Sequence, residues 1–136
     1  MPYVKQQTRR DLITGIPPKN AGDMNYLYCM MIQGKLGQKS FPKDQWQPTF
    51  LYLMRQYVEL HEGNYQAMND VYGAAILAEK EVSFRTHGDY EFGRFALLRA
   101  AEQFWQEDMR PYEATKIKEN GDVFDDIDTV PRENLS

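Results

Sequence analysis

Apolar residues in this chain recur at steps of three and four, and nowhere do they alternate. That period is helical, and it excludes a sheet as the main architecture. Four stretches carry it. The first runs from about Asp23 to Leu36, with Met24, Leu27, Tyr28, Met31 and Ile32 on one stripe. Asn20 or Asp23 caps its start and Gly37 stops it. The second ends near His61 and carries Phe50, Leu51, Met54, Val58 and Leu60. It begins either at a capping box of Asp44 with Gln47 or at Pro48, whose missing N–H is harmless in a first turn. Asn64 caps a third helix that reaches about Arg85. Inside it, Gly73, Ala74, Ala75 and Ala78 form a small-residue patch. Gly73 costs about 1 kcal/mol of helix propensity against Ala, so the patch is expected to admit another helix closely. The fourth helix begins near Tyr90 and passes Arg110. Phe95, Leu98, Trp105, Met109 and Tyr112 make one stripe, with Leu97, Ala101 and Phe104 beside it. Pro111 is expected to kink it or to start a new helix, and Asn120-Gly121 to end it.

These elements predict an all-α, roughly four-helix domain over residues 23–121. An N-terminal arm precedes it over residues 1–22, with one short helical turn expected in it. An acidic, polar tail follows over residues 122–136. The 136 residues suit one domain, large enough to bury a core without staples.

Composition narrows the function classes. The net charge is -4, so general binding to a phosphate backbone is not expected. The apolar runs are too short and too often charged to span a bilayer, and the first residues lack the apolar core of a signal peptide. Cys29 is the single cysteine and is expected to pack as a small hydrophobe in a reducing compartment. A cytosolic protein is the expectation.

The chemistry-bearing residues form no catalytic pattern. His61 and His87 stand apart, without a second ligand at metal spacing. Asp122, Asp125, Asp126 and Asp128 share only charge with a calcium loop. Cys29 has no local His, and neither a nucleophile elbow nor a phosphate-cradling loop is present. No metal or cofactor is therefore expected. Asn69 and Asp70 stand out, because both are poor helix formers placed well inside a helix. Burial of either demands a hydrogen-bonding partner, with Lys116, Arg99 or the Tyr112 hydroxyl as candidates. The pair is either an internal clasp or the lining of a pocket. Arg94, Arg99, Arg110, Lys116 and Lys118 gather on the fourth helix and its extension. They form either an anion-binding face or a mixed-charge surface among Glu102, Glu107 and Glu113.

Several blocks occur in a characteristic order: Met-Pro-Tyr-Val-Lys at the start, Ala21-Gly-Asp-Met-Asn-Tyr26, Asn64-Tyr65 with Asn69-Asp70 and Gly73, then Pro111-Tyr-Glu113, Lys116 and Glu119-Asn-Gly-Asp-Val-Phe124. In these the chain resembles a small family recurrent in tailed-phage genomes that carries no established activity. It departs from that family by extra residues between Gly37 and Gly63 and between Glu81 and Ala101. Its Phe104-Trp-Gln-Glu-Asp also replaces a more basic aromatic stretch. The resemblance implies a phage-encoded protein working in the bacterial cytoplasm.

The leading expectation is a non-catalytic accessory protein of host-takeover or anti-defence type. It would bind a host protein or a small anionic, nucleotide-like metabolite. Its contacts would come from Asn25, Tyr26, Asn64, Tyr65, Asn69 and Asp70, joined by Tyr112, Glu113, Lys116 and Asn120. The helix N-termini near Asp23 and Asn64 would offer free N–H groups to a phosphate, although Asp23 would repel one. Alternatives are a virion-associated assembly component, or an enzyme acting on a small phosphorylated substrate through Tyr112, Glu113 and Lys116. A homo-oligomer is also expected, a dimer by preference. Leu97, Leu98, Ala101, Phe104, Trp105 and Met109 cover more of the fourth helix than its neighbours were expected to bury.

Overall fold

The computed structural model describes residues 4–34, 43–88 and 90–121, and among these no strand occurs. Among the described residues six α-helices follow one another: α1 (Gln6–Ile13), α2 (Ala21–Ile32), α3 (Trp46–Leu60), α4 (Tyr65–Arg85), α5 (Glu91–Phe104) and α6 (Arg110–Asn120). A 3₁₀ turn (Lys43–Gln45) leads into α3, and a π-helical segment (Trp105–Met109) joins α5 to α6. The all-α expectation holds. The tail expected over residues 122–136 lies outside the described residues.

The helix buried on every side is α2. Every residue from Asp23 to Ile32 is buried. The cause is composition, since Met24–Ile32 contains one polar residue, Asn25, and no charge. An apolar face running all round a helix needs neighbours all round it. α2 packs most extensively on α4, and α5 closes the core from the side of α3 and α4. The small-residue patch works as expected through Ala74, Ala75 and Ala78, which are buried. Asn25 Nδ2 donates to Ala74 O at 3.2 Å and the Tyr28 hydroxyl donates to Val71 O at 3.3 Å, so α2 is tied to the α4 backbone itself. α2 also ends at Ile32, with Gln33 as its C-cap, short of the expected Leu36. Gly34 at φ 67° takes the role assigned to Gly37.

On α5 the inward residues are Gly93, Arg94, Ala96, Leu97, Ala100, Ala101 and Phe104. The expected leading stripe is therefore displaced: Phe95 stands 46% exposed, and Leu97, Ala101 and Phe104 form the buried face. Gly93 lets Trp46 approach, because a Cβ there would lie 2.9 Å from the indole Cζ3. The α4–α5 turn places Tyr90 at φ 61°, a left-handed conformation that a bulky residue adopts only under constraint. Arg94 supplies that constraint. Its Nη2 lies 2.7 Å from Glu79 Oε1, and its Nη1 donates to Gly88 O at 3.1 Å.

Pro111 acts through the turn before it. Proline has no N–H and its ring crowds the carbonyl four residues back. The chain answers with the π segment, in which the Arg110 N–H reaches back five residues to Trp105 O. α3 begins at Trp46, inside neither of its two expected starts. Gln47 is diverted to Gln103, its Nε2 donating to Oε1 at 2.9 Å, in place of a capping box. The arm is more ordered than one turn. α1 lays Leu12 on Tyr26 and Met30 of α2, with Val4 completing a second apolar cluster.

Candidate functional site

Of the residues singled out in the sequence, Asn25, Asn69 and Asp70 meet at one place. They line a hollow of about 260 Å³ between the first turns of α2 and the middle of α4. Ala21 and Gly22 of α2 and Gly73, Ala74 and Leu77 of α4 complete it. Small residues make the hollow by leaving space unfilled. Gly73 is the clearest case, since a Cβ added there would meet nothing within 4 Å. Its expected excuse, close approach of another helix of this chain, is thus overturned. Asn25 is 2% exposed, and its Oδ1 is buried with no hydrogen-bond partner among the described atoms. Its Nδ2 is fixed on Ala74 O, which sets the orientation of the amide. An acceptor left this way costs about 1–3 kcal/mol and calls for a reason.

Asp70 belongs to both alternatives posed by the sequence. Its Oδ2 accepts from the Tyr57 hydroxyl at 2.9 Å, and its Oδ1 accepts from Gln66 Nε2 at 2.9 Å. The clasp exists, but its partners are Tyr57 and Gln66 and not Lys116, Arg99 or Tyr112. Asn69 is exposed on the rim. Burial, then the hydrogen bond to Asp70, pushes the Tyr57 hydroxyl well above its ordinary value of 10.0. His61 stacks on the Tyr57 ring at 4.0 Å between centroids, and its Nε2 lies 3.3 Å from Pro18 O. The Tyr57–Asp70 clasp therefore also tethers the segment that leads into α2.

A second hollow of about 350 Å³ lies where the first turns of α1 and α2 converge, lined in part by Lys5, Thr8, Lys19 and Asn20. It resembles an anion cradle, but its helix end is occupied. Asn20 Oδ1 accepts the Asp23 N–H at 2.9 Å, and the buried Asp23 carboxylate accepts the Lys19 N–H at 3.1 Å. A phosphate entering here would meet Asp23. At the start of α4, Asn64 Oδ1 likewise takes the Ala67 N–H at 2.9 Å.

The remaining expected contacts disperse. Tyr26 is buried under the arm, and Tyr65 is exposed at the start of α4. Tyr112, Glu113, Lys116 and Asn120 sit on α6, which buries no residue and packs on the π segment. Lys116 lies over the Tyr112 ring at 5.5 Å and 3.5 Å from Glu119. Arg94 is withdrawn from any anion-binding face by its buried pairing with Glu79. Arg110 donates to Gln106 Oε1 at 3.0 Å, while Arg99 and Lys118 are exposed. Burial, then the nearby Glu81 carboxylate, pushes the Cys29 thiol up to about 12, so at neutral pH it is no nucleophile.

Among the described residues no group of three or more His, Cys, Asp or Glu side chains could hold a metal ion, and no helix is long and apolar enough to cross a membrane. No protein-family model, no curated protein and no solved structure matches the chain. Two contributors to the site escaped sequence reasoning: Tyr57 and Leu77. For Tyr57 a signal existed, a step of three from Met54 on the inward face of α3.

Proposed function

We propose that the chain is a phage-encoded accessory protein that works in the host cytoplasm by binding a polypeptide, and that the α2–α4 hollow is its docking point. The supporting observation is the convergence of Asn25, Asn69 and Asp70 on one small-walled hollow. Such a site asks for an apolar side chain to fill it. Its size favours a side chain over a metabolite. About 260 Å³ lies below the roughly 300–1,000 Å³ of ordinary small-molecule sites. The anionic-metabolite version is weaker, because Asp23 occupies the α2 end and Arg94 is spent on Glu79.

The test is recovery of tagged protein from infected cells, wild type beside Gly73→Leu, by native mass spectrometry. A host polypeptide at fixed stoichiometry with wild type, lost with Gly73→Leu, supports the proposal. Both chains recovered bare would sink it. A virion component is the second reading, favoured by the exposed apolar side chains Leu77 and Phe84. A stoichiometric peptide signal from purified virions would replace the intracellular reading with that one.

A further inference from the structure

The outward stripe of α4 carries both a hole and a ring. At about 100° per residue, Asn69, Gly73, Leu77, Lys80 and Phe84 fall within roughly 80° of arc, and all five are exposed. Gly73 and Leu77 open onto the hollow. Phe84, about 16 Å further along the axis, is 84% exposed, more than any other large apolar side chain described.

We propose that Phe84 of a second copy of this chain seats in the hollow over Gly73, and reciprocally, so that two chains pair antiparallel along α4 about a two-fold axis passing between Leu77 and Lys80. The inference rests on the hollow's being a docking site, and it names the occupant in the free protein.

Two features point to a second copy. The first is reciprocity. Hole and ring lie on one face of one helix, so a single two-fold rotation covers both, as an isologous interface requires. Any partner that only filled the hollow would leave Phe84 in water. The second is fit. The hollow is of side-chain size, and a Cβ at position 73 would enter it without touching this chain. The ring's space is thus what the glycine keeps open. Asn25, one of the residues lining the hollow, has a buried Oδ1 without a partner among the described atoms.

One helix stripe with two rings is a small interface, in the class of weak or transient pairs that bury less than about 1,200 Å² in total. Sedimentation velocity across roughly 1–100 μM tests for such a pair. Wild type is expected to shift from 16.0 kDa toward twice that mass. Phe84→Ala and Gly73→Leu alone are expected to stay monomeric, with pairing weakened about thirtyfold or more, the usual effect of losing an aromatic anchor. Both positions are exposed, so both variants keep the fold, which circular dichroism checks. An equimolar mixture of the two variants should recover part of the pairing. Phe84 of the Gly73→Leu chain still meets an open hollow on the Phe84→Ala chain.

A monomeric wild type across the range, or variants that pair as well as wild type, overturns the inference. If wild type is monomeric while Gly73→Leu still loses its host polypeptide, the pairing falls and the docking role stands. If wild type pairs but no host polypeptide is ever recovered, the pairing stands and the accessory role falls.

Discussion

Gly73 and Gly93 are both helical glycines, yet a methyl group acts on them in opposite directions. At Gly93 the new Cβ would sit 2.9 Å from Trp46 Cζ3 and 3.3 Å from Ile32 Cγ2, so the indole must move. Gly93→Ala is expected to destabilise by about 1–3 kcal/mol, the usual range for an overpacked core. At Gly73 nothing lies within 4 Å, and Gly73→Ala is expected to stabilise by about 0.4–1 kcal/mol through helix propensity. Urea midpoints read both, and equal signs would contradict these surroundings. Titration supplies a second residue-scale outcome. The Cys29 thiol is raised from 9.0 to about 12 in the native state, so between those values the unfolded chain has lost a proton that the native chain keeps. Stability is then full below about pH 9 and falls by about 1.4 kcal/mol per pH unit above it. Tyr28 and Tyr57, also raised, extend the loss above their ordinary value of 10.0. Thermal melts of Cys29→Ala should lose the first part of that decline and keep the second. The two glycines also mark a limit of sequence reasoning. Gly73 was recognisable as a helix-weakening residue that needs a reason, but spacing does not say whether the space above a residue is filled by its own chain.

At the scale of elements, the helices were legible because each is bounded by chemistry that acts locally. Asn20 and Asn64 both cap as their positions implied, and Gly121 ends α6 at φ 78°. What periodicity could not rank was centrality. α5 carries the wider-looking apolar face, but part of that width, Phe95 above all, points to solvent. α2 is shorter, and its lack of charge from Met24 to Ile32 was the better signal. Of the expected dimer face, Leu97, Ala101, Phe104 and Met109 are spent on the interior, while Leu98 and Trp105 are half-buried. The α4–α5 hairpin depends on one residue. Arg94 and Glu79 are side chains only 10% and 15% exposed, so removing one partner strands a nearly buried charge. Arg94→Met is expected to lower stability by about 3–5 kcal/mol, and the double change Arg94→Met with Glu79→Leu to recover much of it. Chemical denaturation of the three chains decides, and a double variant no better than the single one would mean that the Gly88 contact matters more.

For the whole molecule, the arm is the part most underestimated from sequence. Its polar composition hid two apolar contacts, Val4 and Leu12, that cover Tyr26 and Met30. The main cluster contains no arm residue, so a chain lacking residues 1–16 is expected to fold still. It should lose about 2–4 kcal/mol, the burial of one or two such side chains, and a scanning calorimetry trace that loses its transition altogether would refute this. The site was legible as residues and not as a place. Asn25, Asn69 and Asp70 were named from polar type and helical position. Their union across α2 and α4 depends on a crossing geometry that a single sequence does not encode locally.

The all-round burial of α2 has a consequence for how the protein is made. A ribosome releases α2 well before α4 and α5, the helices that cover it, so the nascent chain carries an apolar segment without its cover for much of translation. The stretch from Met24 to Ile32 holds no charge to keep it apart from other chains. Folding must wait for Phe104 and its neighbours to leave the exit tunnel. Translation arrested within α4 should yield chains that cling to chaperones or to each other, and arrest after α6 should not. A protein of this design is most exposed to failure while it is being synthesised, when polysomes bring unfinished copies closest together.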